Sequence, residues 1–245
     1  MTITILFVLL ISFLASFVRS TLGFGESLIA VPLFLLFMPP QTAVPLSVML
    51  SAVIALIIVI QDHRKIHFNS AKWLILYALL GIPFGLLILI YGNEQLIKIV
   101  LGILLSLYAI YSLIGKPAAI KNEKSKRWLA ACGFLSGVLG GAYGLNGPPL
   151  VVYGNLRKWS APQFRATLQA YFLPVSIVSV LAYYSKGFIT SEVGSYFGIS
   201  LLTTIPAIFF GRALNHRLKS DSFYSYVYWG LVIISVLLVV SSIRG

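Results

Sequence analysis

The chain has 245 residues, of which 59% are hydrophobic and 10% charged, and its mean hydropathy is +0.95. This balance leaves too little polar surface for a soluble domain and predicts a protein of the lipid bilayer. The net charge of +12 does not indicate a nucleic-acid binder, because no soluble domain is predicted to gather the cations on one face, and a single cysteine excludes an intrachain disulfide framework.

The chain opens with a broken hydrophobic segment. Residues 1–18 are uncharged and lack the basic start and the cleavage site of a signal peptide, so we expect a retained hydrophobic segment. The stretch FVRSTLGFGESLIAVPL then interrupts this segment. Three predicted membrane spans follow, each close to the roughly 20 residues that cross a hydrocarbon core: 43–61, 73–91 and 99–115.

The second half of the chain repeats this order. The uncharged region 128–156 is too short for two crossings and too long for one, and GGAYGLNGPP interrupts it. We expect it to enter the membrane and return, with glycines at the reversal and Pro148 and Pro149 near the start of a new helix. Three further predicted spans follow: 166–185, 193–211 and 222–243.

The basic residues predict the orientation of the spans. Four loops hold 14 of the 18 Lys and Arg residues, and basic loops remain in the cytoplasm. Both chain ends are then periplasmic in a multi-pass protein of a bacterial inner membrane. The span 43–61 runs inward, whereas 166–185 runs outward.

The two halves also resemble each other in sequence. A shift of 122 residues places Pro40 and Gln41 on Pro162 and Gln163, and a shift of 123 places Ile82-Pro83 on Ile205-Pro206. We predict an all-α polytopic membrane protein with two inverted repeats, 1–115 and 128–245, joined by a basic cytoplasmic linker, 116–127. Each repeat is a broken or re-entrant helical hairpin plus three transmembrane helices. The alternative is a helical bundle whose halves are similar by accident.

The two breaks predict a central anion site. Irregular backbone at membrane depth must be buried in protein or face a watery cavity, so the breaks should meet. Helices that begin near Glu26 and Pro148 would aim their first N–H groups at the midplane. The candidate substrate-binding residues are Arg19, Ser20, Thr21, Gly23, Gly25, Gln41, Tyr143, Gly144, Asn146, Gly147, Gln163 and Gln169.

Arg19 and Glu26 are the two charges within a predicted hydrophobic region, where ionised groups are costly. In one interpretation Arg19 faces the substrate anion and Glu26 carries a coupling proton. In the other they pair with each other or cap the hairpin. Arg165 is predicted to anchor the topology at the cytoplasmic face, and no cofactor or metal site is predicted.

The chain resembles the TauE/SafE family of sulfite exporters and sulfonate permeases. The resemblance rests on LGFGESLIAVPLFLLF with PPQTAVPLSVMLS, and on GVLGGAYGLNGPPLVVY with APQFRATLQAYF. It implies transport of a small sulfur-containing anion, such as sulfite or an organosulfonate, linked to the proton gradient. It also implies that Gly23, Gly25, Gly144 and Gly147 belong to the family's glycine-rich signatures.

We therefore predict a secondary transporter of a small anion that works by alternating access and is not an enzyme. Its predicted partners are the anion and the lipid bilayer, with no nucleic acid, and a homodimer is left open. An anion channel and an intramembrane lipid-phosphate phosphatase are the alternatives. The phosphatase needs buried acids, yet five of the six acidic residues fall in predicted loops.

Overall fold

The computed structural model describes residues 2–114, 126–215 and 221–244, and in these ranges every regular element is helical. The helices of the first half are α1 (Thr2–Leu22), α2 (Glu26–Phe34), α3 (Pro40–Asp62), a 3₁₀ turn (His63–Lys65), α4 (Phe68–Tyr91) and α5 (Glu94–Ile114). Those of the second half are α6 (Lys126–Tyr143), α7 (Gly147–Leu156), α8 (Ala161–Ser185), α9 (Ser191–Asn215) and α10 (Asp221–Arg244).

Six helices in the described ranges are long and apolar enough to cross a membrane. Five of them, α3, α4, α5, α8 and α9, coincide with predicted spans. The sixth is α1, which we expected to be one arm of a broken segment. It carries a 20-residue apolar stretch, Ile3–Leu22. In α10, at the predicted span 222–243, the apolar stretch Val227–Ile243 is shorter than the other six.

Both predicted breaks are present, and new helices begin close to where the sequence places them. α1 ends at Leu22 and α2 begins at Glu26, while α6 ends at Tyr143 and α7 begins at Gly147 with prolines in its first turn. Gly25 and Gly144 have φ angles of 100° and 67°, which residues with a Cβ rarely adopt. Glycine therefore permits the chain reversal at each break.

The predicted linker 116–127 falls mostly on residues 115–125, which lie outside the described residues. Its last two residues, Lys126 and Arg127, belong to α6.

Four helix pairs make the most extensive contacts: α1 with α9, α4 with α6, α3 with α8, and α5 with α10. α1 and α9 run parallel, because Ser12 Oγ donates to Ser200 Oγ (3.0 Å) and Ser16 Oγ donates to Thr204 Oγ1 (3.2 Å). α3 and α8 run antiparallel. Ser176 of α8 contacts Ser51 in the middle of α3, and Arg165 near the start of α8 contacts Asp62 at the end of α3.

Glycines bring α4 and α6 together as a close parallel pair. A Cβ at Gly81 would lie against the backbone of Phe134 and Val138, and one at Gly85 against Val138 and Ala142. Small residues allow such backbone approach between membrane helices.

The two broken segments enter the bundle from opposite ends. Asp62 at the end of α3 lies 3.9 Å from Arg212 near the end of α9, so α3 and α9 end on the same side of the bundle. Because α1 runs parallel to α9, α1 begins on the opposite side and runs towards this one. α4 starts at this same end, a few residues after Asp62, and the parallel helix α6 starts beside it. The segments α1–α2 and α6–α7 therefore approach the centre from opposite directions.

Candidate functional site

Both breaks line one small cavity inside the helix bundle. Its walls come from α1, α3, α8 and the two breaks, and they include Arg19, Glu26, Ser51, Asn146 and Phe172. The volume that the centre of a water molecule can occupy is about 10 Å³, which is close to what one bound water molecule requires. An oxyanion is larger than water, so the cavity must widen before it can admit one.

The starts of α2 and α7 face this cavity, although two of the first three residues of α7 are prolines, which have no N–H group. Gly25 precedes α2 and Asn146 precedes α7, and among the described residues neither cap position makes a side-chain capping hydrogen bond. The first N–H groups of a helix have no partner within that helix, and its first turn carries partial positive charge. Two such ends facing one space favour a negatively charged ligand.

Arg19, near the end of α1, is the cation of the cavity, and its side chain is only 2% exposed. Its Nη2 and Nε donate to Gln169 Oε1 at 2.8 and 3.2 Å, and its Nη1 donates to Ser51 Oγ at 2.5 Å. The guanidinium carbon lies 4.7 Å from the centre of the Phe172 ring. These contacts fix the guanidinium between α3 and α8.

Glu26, the first residue of α2, is the anion of the cavity and is 1% exposed. Its Oε2 lies 3.4 Å from Arg19 Nη1 and accepts a hydrogen bond from Ser27 Oγ at 2.9 Å. Its Oε1 accepts a hydrogen bond from Ser47 Oγ at 2.7 Å. Arg19 and Glu26 thus pair with each other, as one interpretation held, and both line the cavity, as the other required.

Five of the twelve predicted substrate-binding residues line the cavity: Arg19, Gly25, Gly144, Asn146 and Gly147. Asn146 is 4% exposed, and among the described residues its Oδ1 has no hydrogen-bond partner. Gln169 and Gly23 form the next layer, because Gln169 holds Arg19 and its Nε2 donates to the Gly23 carbonyl at 2.6 Å.

Ser20, Thr21 and Tyr143 are buried but do not line the cavity. Thr21 Oγ1 donates to the Phe17 carbonyl at 2.8 Å and to the Gly211 carbonyl at 3.3 Å, so this residue joins α1 to α9.

The repeated Pro-Gln pairs lie at helix starts rather than at the cavity. Gln41 is in the first turn of α3, and its Nε2 donates to the Leu89 carbonyl at 3.3 Å. Gln163 is exposed and forms a capping box with Ser160 at the start of α8. Both pairs lie in the first turn of a long helix, but only Gln163 caps its helix, whereas Gln41 bonds to the end of α4.

Four residues at or beside the cavity were not predicted: Ser27, Ser47, Ser51 and Phe172. Ser47 and Ser51 are one turn apart on the largely apolar helix α3, and this spacing is a signal that could have identified them. Ser27 follows Glu26 directly. The position of Phe172 over Arg19 has no counterpart in the sequence pattern.

Arg165, predicted to be a cytoplasmic anchor, is buried and paired. Its Nε lies 3.4 Å from Asp62 Oδ2, and Arg212 Nη2 lies 3.9 Å from Asp62 Oδ1. The Arg165 side chain also packs on Gly23, so this cluster of three charges adjoins the first break.

Comparison with protein-family models finds a match over residues 8–238 to the family described as Sulfite exporter TauE/SafE. Comparison with curated proteins and with solved structures gives no match. The family match covers both breaks and nearly the whole helical bundle.

Proposed function

Because the chain belongs to the TauE/SafE family of membrane transporters, which are not enzymes, we propose that it carries sulfite or an organosulfonate through the central cavity. The observation that carries this proposal is the meeting of two helix starts and one buried arginine at a single space. Membership of a transporter family also removes the phosphatase alternative.

The anion would bind at the cavity between the starts of α2 and α7. Amides at Gly25 and Gly147 offer hydrogen bonds without a fixed charge, and Arg19 adds one full positive charge. A sulfite or sulfonate group has three oxygens and can accept from both helix ends at once. A binding site with only one full positive charge suits a carrier, since a site that binds its anion too tightly would not release it.

The packing of the helices supports two inverted repeats as the basis of transport. If α1–α5 are exchanged with α6–α10 in order, the pair α1–α9 becomes α6–α4, and the pairs α3–α8 and α5–α10 map onto themselves. A helix pair that maps onto itself is antiparallel when the two-fold axis lies in the membrane plane. The antiparallel contacts of α3 with α8 fit such an axis.

Alternating access follows from this arrangement. The cavity is small, and the Asp62–Arg165–Arg212 cluster joins α3 of the first half to α8 and α9 of the second half at one end of the bundle. Rocking of the halves would part this cluster and open the cavity to that side. From the charge distribution this side is the cytoplasm, and both chain ends are periplasmic in a bacterial inner membrane.

Glu26 is our candidate for the coupling proton. In this structure its carboxylate shares the guanidinium of Arg19 with two neutral acceptors, Ser51 Oγ and Gln169 Oε1. A proton on Glu26 would cancel its charge and leave Arg19 free to pair with the incoming anion. Binding of the proton and of the anion would then favour each other, so the two would move together.

Flux of labelled sulfite and of a labelled sulfonate into proteoliposomes tests the proposal. We expect saturable uptake that increases with an imposed pH gradient and is lost in Arg19→Gln. Absence of saturable flux for any small anion, with or without the gradient, would refute it. Single-channel currents carried by these anions would favour the anion channel instead.

A further inference from the structure

A second, larger cavity lies at the end of the bundle where α4 and α6 begin and α7 ends. Its volume is about 370 Å³, within the range of ligand pockets in proteins. The residues that decide its chemistry are His67, Trp73, Tyr77, Lys126, Tyr153 and Arg157. None of the described residues that line it is acidic.

One wall of this cavity is basic, and the described residues that line it include no acidic counter-charge. Among the described residues, Arg157 has a buried Nε without a hydrogen-bond partner, although its side chain lines the cavity. Lys126 is exposed at the start of α6 and supplies a second cation. Two cations, with no acidic residue among the described residues that line the cavity, make this wall complementary to an anionic oxygen.

The outer wall is aromatic and continues into an apolar surface. Trp73 and Tyr77 lie one turn apart on α4, with ring centres 6.5 Å apart. Beyond them the same helix exposes Leu76, Leu80 and Phe84, which are suited to contact with lipid chains. Tryptophan and tyrosine at such a boundary are typical of the membrane interface.

We propose that this cavity binds the phosphate of an anionic phospholipid, with Arg157 and Lys126 on the phosphate and an acyl chain along Trp73, Tyr77 and Leu80. A cationic pocket joined to an exposed apolar surface matches a lipid better than a free anion, because a free anion would make no favourable contact with the apolar surface. The proposal does not depend on which anion the central cavity carries.

The position of the cavity gives the lipid a structural effect. α7 begins at the central cavity and ends beside Arg157, a distance of about 15 Å for its ten residues. A phosphate bound at Arg157 therefore holds the far end of the helix that presents its start to the central cavity. Lipid binding should stabilise the folded protein.

Thermal unfolding of the purified chain in detergent, with counts of bound lipid by native mass spectrometry, tests the proposal. The probes are dioleoyl-phosphatidylglycerol, dioleoyl-phosphatidylcholine, inorganic phosphate and sulfite. At ten times its Kd the anionic lipid should raise the midpoint by about 3 °C or more. The zwitterionic lipid and inorganic phosphate should raise it much less, and any shift with sulfite, which is proposed to bind the central cavity, should persist in variants of this second cavity.

The matched variants are Arg157→Gln, inside the cavity, and Arg64→Gln, an exposed residue that precedes the same end of α4 and does not line the cavity. Arg157→Gln should lose most of the shift and at least one bound lipid, and Arg64→Gln should keep both. If Arg157→Gln does not fold, Lys126→Gln at the exposed start of α6 serves in its place. Equal shifts in the cavity and control variants, or an equal shift with phosphate or the zwitterionic lipid, would overturn the proposal.

Discussion

Replacement of Glu26 by glutamine should separate anion binding from proton coupling. The amide is nearly the same size as the carboxylate, and its one oxygen can still accept a hydrogen bond from Ser27 or Ser47, while its NH2 group can donate to the other hydroxyl. What the change removes is the negative charge 3.4 Å from Arg19. The guanidinium is then held by neutral groups alone, as it would be when Glu26 is protonated.

The size of the effect follows from this distance. Two unit charges 3.4 Å apart attract each other by about 5 kcal/mol at an effective dielectric constant near 20. Only part of this becomes affinity for the substrate, because Gln169 and Ser51 also hold Arg19. We expect the variant to bind sulfite about 1.4–2.8 kcal/mol more tightly, which is roughly a 10- to 100-fold lower Kd.

Two assays on the same preparation measure the two consequences. Isothermal titration with sulfite in detergent reports the Kd, and proteoliposome uptake with and without an imposed pH gradient reports coupling. The variant should bind more tightly and should no longer respond to the gradient. Glu94→Gln is the matched control, because Glu94 is exposed at the start of α5 and pairs with Lys98 far from the cavity.

Two results would refute the reasoning about Glu26. If Glu26→Gln keeps the response to the pH gradient, Glu26 does not carry the coupling proton. If the Kd for sulfite rises or is unchanged, the carboxylate does not compete with the substrate for Arg19.

Three further predictions test neighbouring parts of the structure. Gln169→Leu removes both the acceptor that positions Arg19 and the donor to the Gly23 carbonyl. Titration should show about tenfold weaker sulfite binding, together with a lower midpoint of thermal unfolding, and unchanged binding would contradict the role of Gln169. Asp62→Asn leaves Arg165 without its counter-charge. Chemical unfolding should report a decrease of about 1–2 kcal/mol in the free energy of unfolding, a modest value because solvent partly screens a cluster that is not fully buried. Gly137→Leu would force a side chain against the backbone of Ala78, so size-exclusion chromatography should show aggregation or loss of the monodisperse peak, and a normal profile would mean that α4 and α6 pack less closely.

The sequence was most informative where backbone chemistry decides the structure. Glycines and prolines around Gly25 and Pro148 predicted helix starts within a residue or so of those observed, because few other residues permit a reversal followed by a new helix. The isolated charges Arg19 and Glu26 pointed to the cavity because a buried charge in a membrane needs a reason.

Side-chain partnerships were less accessible from the sequence. The hydrogen bonds from Arg19 to Gln169 join residues 150 positions apart, and the packing of α3 against both α1 and α8 brings them together. Gln41 and Gln163 were also predicted to bind the substrate, yet each lies at the start of a long helix and not at the cavity. The stretch predicted to interrupt the first segment includes Arg19, whereas α1 continues three residues beyond Arg19 to Leu22.

The position of a bound heavy-atom analogue of the substrate would show whether the anion binds in the central cavity. Selenite has the shape and charge of sulfite, and its selenium gives an anomalous signal in a crystal of the protein. The account predicts an anomalous peak between Gly25 and Gly147, beside Arg19, in wild-type protein and its loss in Arg19→Gln. Saturating selenite that leaves this position unoccupied, or that binds only at another place in the bundle, would contradict the account.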